Sequence, residues 1–117
     1  MTPAQFRRAV LRFPEVIEGS HHGHADFRVA GRIIATMGYP SAAHAVVMLS
    51  PSDQDLIVRA HAGFAPVPGK WGASGNTMIT LAEADSAAVE EALDAAWRRR
   101  APRKLVAALD DGTSSAR

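Results

Sequence analysis

The chain has 117 residues, 47% of them hydrophobic, and a net charge of +1, which fits one globular domain and leaves too little length for two. It has no cysteine, which excludes disulfide scaffolds, thiolate metal sites and cysteine nucleophiles. Its apolar stretches, such as residues 45–49, are far shorter than the roughly 18 residues of a membrane span. With no apolar signal-peptide core behind the N-terminal arginines, we expect a cytoplasmic protein that does not contact a membrane.

The first half of the chain predicts one helix and three strands. Thr2 and Gln5 have the spacing of a capping box, and the apolar residues after them repeat at helical spacing as far as Phe13. Alternating residues at 27–29 and 32–37 predict an antiparallel hairpin that turns at Ala30-Gly31. An apolar run at 44–50 predicts a third strand.

The next segment predicts a short helix, a loop and a strand. Ser52 opens a second capping box, which predicts a helix at about 53–61. Glycine and proline are frequent over residues 63–75, and this composition predicts a long irregular loop, anchored by Phe64 and Trp71. A fourth strand is predicted at residues 76–82 by renewed alternation.

The longest predicted helix begins at Asp85 or Ser86 and ends before Pro102. Its apolar stripe includes Trp97, for which we predict a place in the core, and Arg100 lies beside that stripe and is expected to extend over the core.

A short helix is predicted at 103–109, and the polar residues 110–117 are expected to be a disordered tail. The domain therefore spans residues 1–109. Because the strands are joined too closely for parallel crossovers, we predict a two-layer α+β fold, with a mainly antiparallel sheet and flanking helices.

Charge is distributed unevenly along the chain. Residues 1–50 hold five arginines and three acids (+2), residues 51–96 hold two bases and seven acids (−5), and residues 97–117 hold six bases and two acids (+4). Five cations fall within residues 98–104. If the two termini lie close together, the domain has one positive pole. An ordinary solvated surface is the alternative interpretation.

No motif for catalysis or metal binding emerges from the sequence. His21, His22 and His24 stand where the chain enters a strand, and their side chains are expected to diverge on a surface turn. Gly69-Lys70-Trp71 lacks the neighbours of a phosphate loop, and a nucleophile elbow would need glycine at position 76. We therefore expect no enzyme, no catalytic residues, no cofactor and no metal.

Several short motifs follow one another in an informative order. A histidine precedes a Phe-Arg-Val strand, a Gly-Arg turn and a second apolar strand over residues 23–35. Further along stand Pro68-Gly69-Lys70-Trp71-Gly72 and Ala101-Pro102-Arg103-Lys104-Leu105. In this order, over about residues 4–107, the motifs resemble the MmcQ/YjbR family. The chain departs from the family pattern at Ala25, where proline is usual, and over residues 72–76, which are richer in glycine.

This resemblance implies a CyaY-like α+β fold and DNA binding through loops and hairpins. Our first hypothesis is thus a non-enzymatic, monomeric DNA-binding domain that contacts mainly phosphates. Cations would bind the phosphates, and one tryptophan is available for stacking on an exposed base. These candidate residues are Arg28, Arg32, Lys70, Trp71, Arg99, Arg103 and Lys104.

The alternative hypothesis is a protein-binding or small-molecule-binding domain with no nucleic-acid partner. Its ligand would occupy a cleft under the loop at residues 63–75. The salt dependence of binding to a DNA duplex separates the two hypotheses.

Overall fold

The computed structural model describes the backbone of residues 1–115 and the side chains of residues 1–111. The helices are α1 (Pro3–Leu11), α2 (Pro51–Ala60), α3 (Lys70–Ala73), α4 (Ser86–Arg100) and α5 (Arg103–Ser115). The strands are β1 (Ile17–His21), β2 (His24–Val29), β3 (Arg32–Met37), β4 (His44–Met48), β5 (Phe64–Pro66) and β6 (Asn76–Thr80). None of the helices in this part of the chain has the length and apolar character needed to cross a membrane.

All six strands form one antiparallel sheet in the order β1-β2-β3-β4-β6-β5. The predicted α+β class is therefore confirmed. So is the hairpin at Ala30-Gly31, because Val29 pairs with Arg32 across that turn. Both turn residues have positive φ, 51° and 78°, as the tight turns that match the twist of paired strands require.

The main core lies between one face of the sheet and the helices α1 and α4. Phe6 of α1 meets Phe27 of β2 edge to face at 6.3 Å between ring centroids. Trp97 of α4 is fully buried, and its indole N–H donates to the carbonyl of Pro14 at 3.0 Å. The predicted core role of Trp97 is confirmed, and its burial holds the last turn of α4 against the domain.

The opposite face of the sheet has a much smaller apolar cluster. Val46 and Met48 of β4 pack there with Val67, and Ile33 and Met78 contact them from the neighbouring strands. The segment that contains Val67 and α3 folds over part of this face.

Two strands and one helix were missed by the sequence patterns. β1 is an edge strand with all five residues exposed, so it has no apolar alternation to reveal it. Residues 63–75, predicted to be an irregular loop, contain β5 and α3. Phe64 is buried as predicted, whereas Trp71 remains 43% exposed and does not anchor the segment in the core.

The start of α2 differs from the prediction. The cap is Ser50, not Ser52: the Ser50 Oγ accepts a hydrogen bond from the Asp53 backbone N–H at 3.1 Å. Pro51 occupies the first turn, where its missing N–H costs nothing.

Helix α5 continues beyond the predicted end at Leu109. Residues 110–115 of the predicted disordered tail are helical, and residues 116–117 lie outside the described residues. Asp110 accepts two hydrogen bonds from the Arg98 guanidinium, at 3.0 and 3.2 Å. This contact ties α5 to α4, and local composition did not indicate it.

The buried position of Trp97 yields a stability prediction. Trp97→Ala should lower the free energy of unfolding by about 3–5 kcal/mol, because it removes a large core ring and leaves a cavity. Urea denaturation measures the loss. Trp71→Ala is the matched control and should change stability little, since that ring is half exposed. A loss below about 1 kcal/mol for Trp97→Ala would contradict the packing described here.

Candidate functional site

A cleft of about 480 Å³ opens at the end of the sheet where β3 begins and β4 ends. Ile33 and Met48, from the smaller apolar cluster, contribute apolar walls. Arg32, Arg100 and the Trp71 ring also line it. The cleft therefore combines an aromatic surface and two positive charges.

Trp71 is held at the cleft by contacts of its own backbone and of its neighbours. A Cβ at Gly72 would stand 1.6 Å from the Val67 carbonyl oxygen, so only glycine allows α3 to pack this closely. The Gln54 side chain donates to the carbonyls of Gly72 (2.9 Å) and Asn76 (3.0 Å). The Asn76 side chain in turn donates to the Trp71 carbonyl at 2.9 Å. These contacts make a fixed platform of the segment predicted to be irregular.

The Trp71 ring itself remains accessible. Tyr39 contacts it in a T-shaped arrangement, with 6.1 Å between ring centroids, and restricts its orientation. An exposed, oriented indole at a cleft is a surface on which a planar group can stack.

Arg100 carries an unsatisfied donor. Its Nε is buried and has no hydrogen-bond partner in the part of the chain whose side chains are described. Burial, and then the neighbouring charges of Arg99 and Arg32, lower the pKa of Arg100. Buried N–H groups almost always find an acceptor, so this unpaired donor is unusual among the described side chains.

Five other arginines have carboxylate partners, whereas Arg8, Arg99 and Arg103 resemble this pair in having none among the described residues. The ion pairs are Arg7–Glu18, Arg12–Glu90, Arg28–Asp26, Arg59–Asp55 and Arg98 with both Asp94 and Asp110. Neither Arg32 nor Arg100 pairs with a carboxylate among residues 1–111. The repulsion between these two cations is thus not relieved by an acidic side chain of this region.

A buried carboxylate lies beside the cleft. Asp26 is fully buried and accepts hydrogen bonds from Arg28 Nε and Nη2 (3.0 and 3.1 Å) and from His21 Nδ1 (2.7 Å). The Arg28 guanidinium lowers the pKa of Asp26 against the opposing effect of burial, and the His21 ring lowers it further. His21 also lines the cleft, so Asp26 orients a ring at its margin.

The sequence-based candidates lie in different places. Arg32 and Trp71 line the cleft. Lys70 precedes Trp71 and is exposed, as is Arg99, which precedes Arg100 in the last turn of α4. These four candidates belong to the cleft or to its immediate chain neighbours.

The remaining three candidates lie elsewhere. The Arg28 guanidinium is bound to Asp26 and does not line the cleft. Arg103 is exposed at the start of α5, and Lys104 lines a separate groove with Glu15 and Leu105.

Sequence reasoning did not name Arg100 or His21 as a candidate, although both line the cleft. Arg100 was expected to extend over the core, and His21 was expected to lie on a surface turn. The position of Arg100, three residues after a core tryptophan, was a signal that its stem would be buried, but not that its Nε would lack an acceptor. Among the described residues, no group of three or more His, Asp or Glu side chains could hold a metal ion.

The structure is thus an α+β domain with a cleft at the end of its antiparallel sheet. A tryptophan and two arginines line that cleft. The family described as YjbR matches residues 11–99, and the chain belongs to that family. The matched region runs from the end of α1 through all six strands to Arg99 of α4, which confirms the resemblance inferred from the motifs. No curated protein matches the chain significantly.

The buried carboxylate predicts how stability depends on pH. Because the folded-state pKa of Asp26 lies below its unfolded value of about 3.9, its contribution is complete above that value and is lost as pH falls through the folded pKa. Asp26→Asn should therefore lower the free energy of unfolding by about 1.5–3 kcal/mol at neutral pH. The difference from wild type should shrink in acid.

Denaturant unfolding at a series of pH values from neutral to acid measures this difference. Glu83→Gln, which removes the same charge from an exposed side chain, is the matched control and should track wild type throughout. A difference between Asp26→Asn and wild type that stays constant into strong acid would contradict the ion-pair account.

Proposed function

We propose that the protein is a non-enzymatic DNA-binding domain that holds DNA phosphates in its cleft. The observation that carries this proposal is the buried, unpartnered Nε of Arg100 beside the unpaired Arg32. A phosphate oxygen supplies the acceptor that Arg100 lacks and a negative charge between two cations that repel each other. Charge-assisted bonds of guanidinium to phosphate are among the stronger hydrogen bonds in proteins.

Neighbouring cations extend the positive surface beyond the cleft. Arg99 and Lys70 are exposed and precede Arg100 and Trp71 in the chain. We expect them to contact phosphates that neighbour the one in the cleft. Such contacts contribute affinity through counterion release and do not distinguish base sequences.

A small anionic ligand is the second candidate. The volume of about 480 Å³ falls within the roughly 300–1,000 Å³ of small-molecule sites. The cleft also borders α3, within the segment under which the alternative hypothesis placed a ligand. A compact ligand with an aromatic part and an acidic group would meet the same arginines and the same ring.

The DNA proposal predicts a steep salt dependence. With about four phosphates neutralised, log K should fall against log salt with a slope near −3.6. The double variant Arg32→Gln/Arg100→Gln should flatten the slope by about 1.8 if both side chains contact phosphate. Fluorescence anisotropy with a labelled duplex at several salt concentrations measures both slopes, and thermal melting confirms that the variants fold.

Two further variants make this test specific. Arg12→Gln/Arg59→Gln removes the same charge from arginines that have carboxylate partners and do not line the cleft, and it should leave the slope unchanged. Arg103→Ala/Lys104→Ala tests the candidates on α5, and it flattens the slope by about 2 only if both touch phosphate. Absence of wild-type binding to the duplex and to its single strand alike at about 50 mM salt, where electrostatic attraction is strong, would refute the proposal.

A further inference from the structure

We infer that the cleft accepts one unpaired nucleotide, with its base stacked on Trp71 and its phosphate bound by Arg32 and Arg100, so that the preferred DNA is single-stranded. This inference rests on the proposed function and adds the strandedness of the ligand to it. It follows from two features of the cleft, an aromatic ring and a pair of arginines.

The first surface is the indole of Trp71. It is 43% exposed. Its backbone is held by the hydrogen bond from Asn76 to its carbonyl and by the packing of Gly72 against Val67, and its ring is held by the contact with Tyr39. Little conformational freedom is therefore lost when a flat partner stacks on it. Every nucleobase has a face that can do so.

The second surface is the arginine pair, which lines the same cleft. A nucleotide carries a flat, largely apolar base and an anionic phosphate within one unit. The cleft has a volume of about 480 Å³ and is lined by Trp71, Arg32 and Arg100. It therefore offers one nucleotide both an aromatic ring for its base and positive charge for its phosphate.

Thr36 adds a polar group to the wall of the cleft. The residue is only 5% exposed and lines the cleft. A hydroxyl that can donate and accept suits the polar edge of any base. In a paired base that edge is already occupied by the complementary strand.

Pairing and stacking explain why a duplex does not fit this arrangement. In a double helix each base is covered on both faces by its neighbours, so a base reaches an aromatic side chain only after it leaves the stack. A duplex can bring phosphates to the arginines at the rim, but it cannot place a base on Trp71 without paying for unstacking. Stacking energy is thus available only to an unpaired strand.

The test compares a labelled 12-nucleotide single strand with a blunt duplex of the same sequence, by fluorescence anisotropy at one low salt concentration. The single strand should bind about 5- to 150-fold more tightly, because one base–aromatic stack is worth about 1–3 kcal/mol. Trp71→Ala should weaken single-strand binding about 5- to 150-fold, the equivalent of that energy. The same variant should leave duplex binding nearly unchanged.

Trp71→Phe is the conservative control, since a phenyl ring also stacks, and it should retain most of the single-strand affinity. Equal or tighter binding of the duplex would overturn the inference and leave the proposed function standing. Failure of both DNAs to bind at about 50 mM salt would overturn both. Competition by thymidine monophosphate as effective as by the 12-nucleotide strand would show that the occupant is a small nucleotide, and would also overturn the inference.

Discussion

The burial of Trp97 determines the position of Arg100, one of the two cations that line the cleft. Its ring lies in the core and its indole N–H donates to the carbonyl of Pro14, so the last turn of α4 is held against the rest of the domain. Arg100, one turn further on, must then pass the edge of the core with its Nε buried. The same constraint brings it close to Arg32 at the start of β3. The cleft is a consequence of how the helix is anchored.

Two buried polar groups of the domain differ in whether they have a partner. At Asp26 a fully buried carboxylate is satisfied by Arg28 and His21, an arrangement that costs desolvation but leaves no charge uncompensated. At Arg100 two cations approach each other with no acidic side chain of the described region between them. In the proposed function, a bound phosphate offsets this repulsion.

Helices and strands whose buried residues recur at regular spacing could be predicted from the sequence. The hairpin at Ala30-Gly31 and the stripe of α4 were correct because alternation and helical spacing there coincide with burial. The cleft could not be predicted in the same way. Its tryptophan is positioned by Gln54, which reaches from α2 to two carbonyls of a distant segment, and no local pattern encodes that contact. Arg100 joins Trp71 only because the sheet order and the anchoring of α4 bring separate parts of the chain together.

The most direct test observes the Nε–H groups of the arginines by NMR while single-stranded DNA is added. Arg28 and Arg98 already donate from Nε to Asp26 and Asp94, and they serve as internal controls. We predict that the Arg100 Nε–H resonance shifts as its donor gains a phosphate acceptor, while those of Arg28 and Arg98 do not change. A titration in which DNA binds and the Arg100 resonance does not move would contradict it.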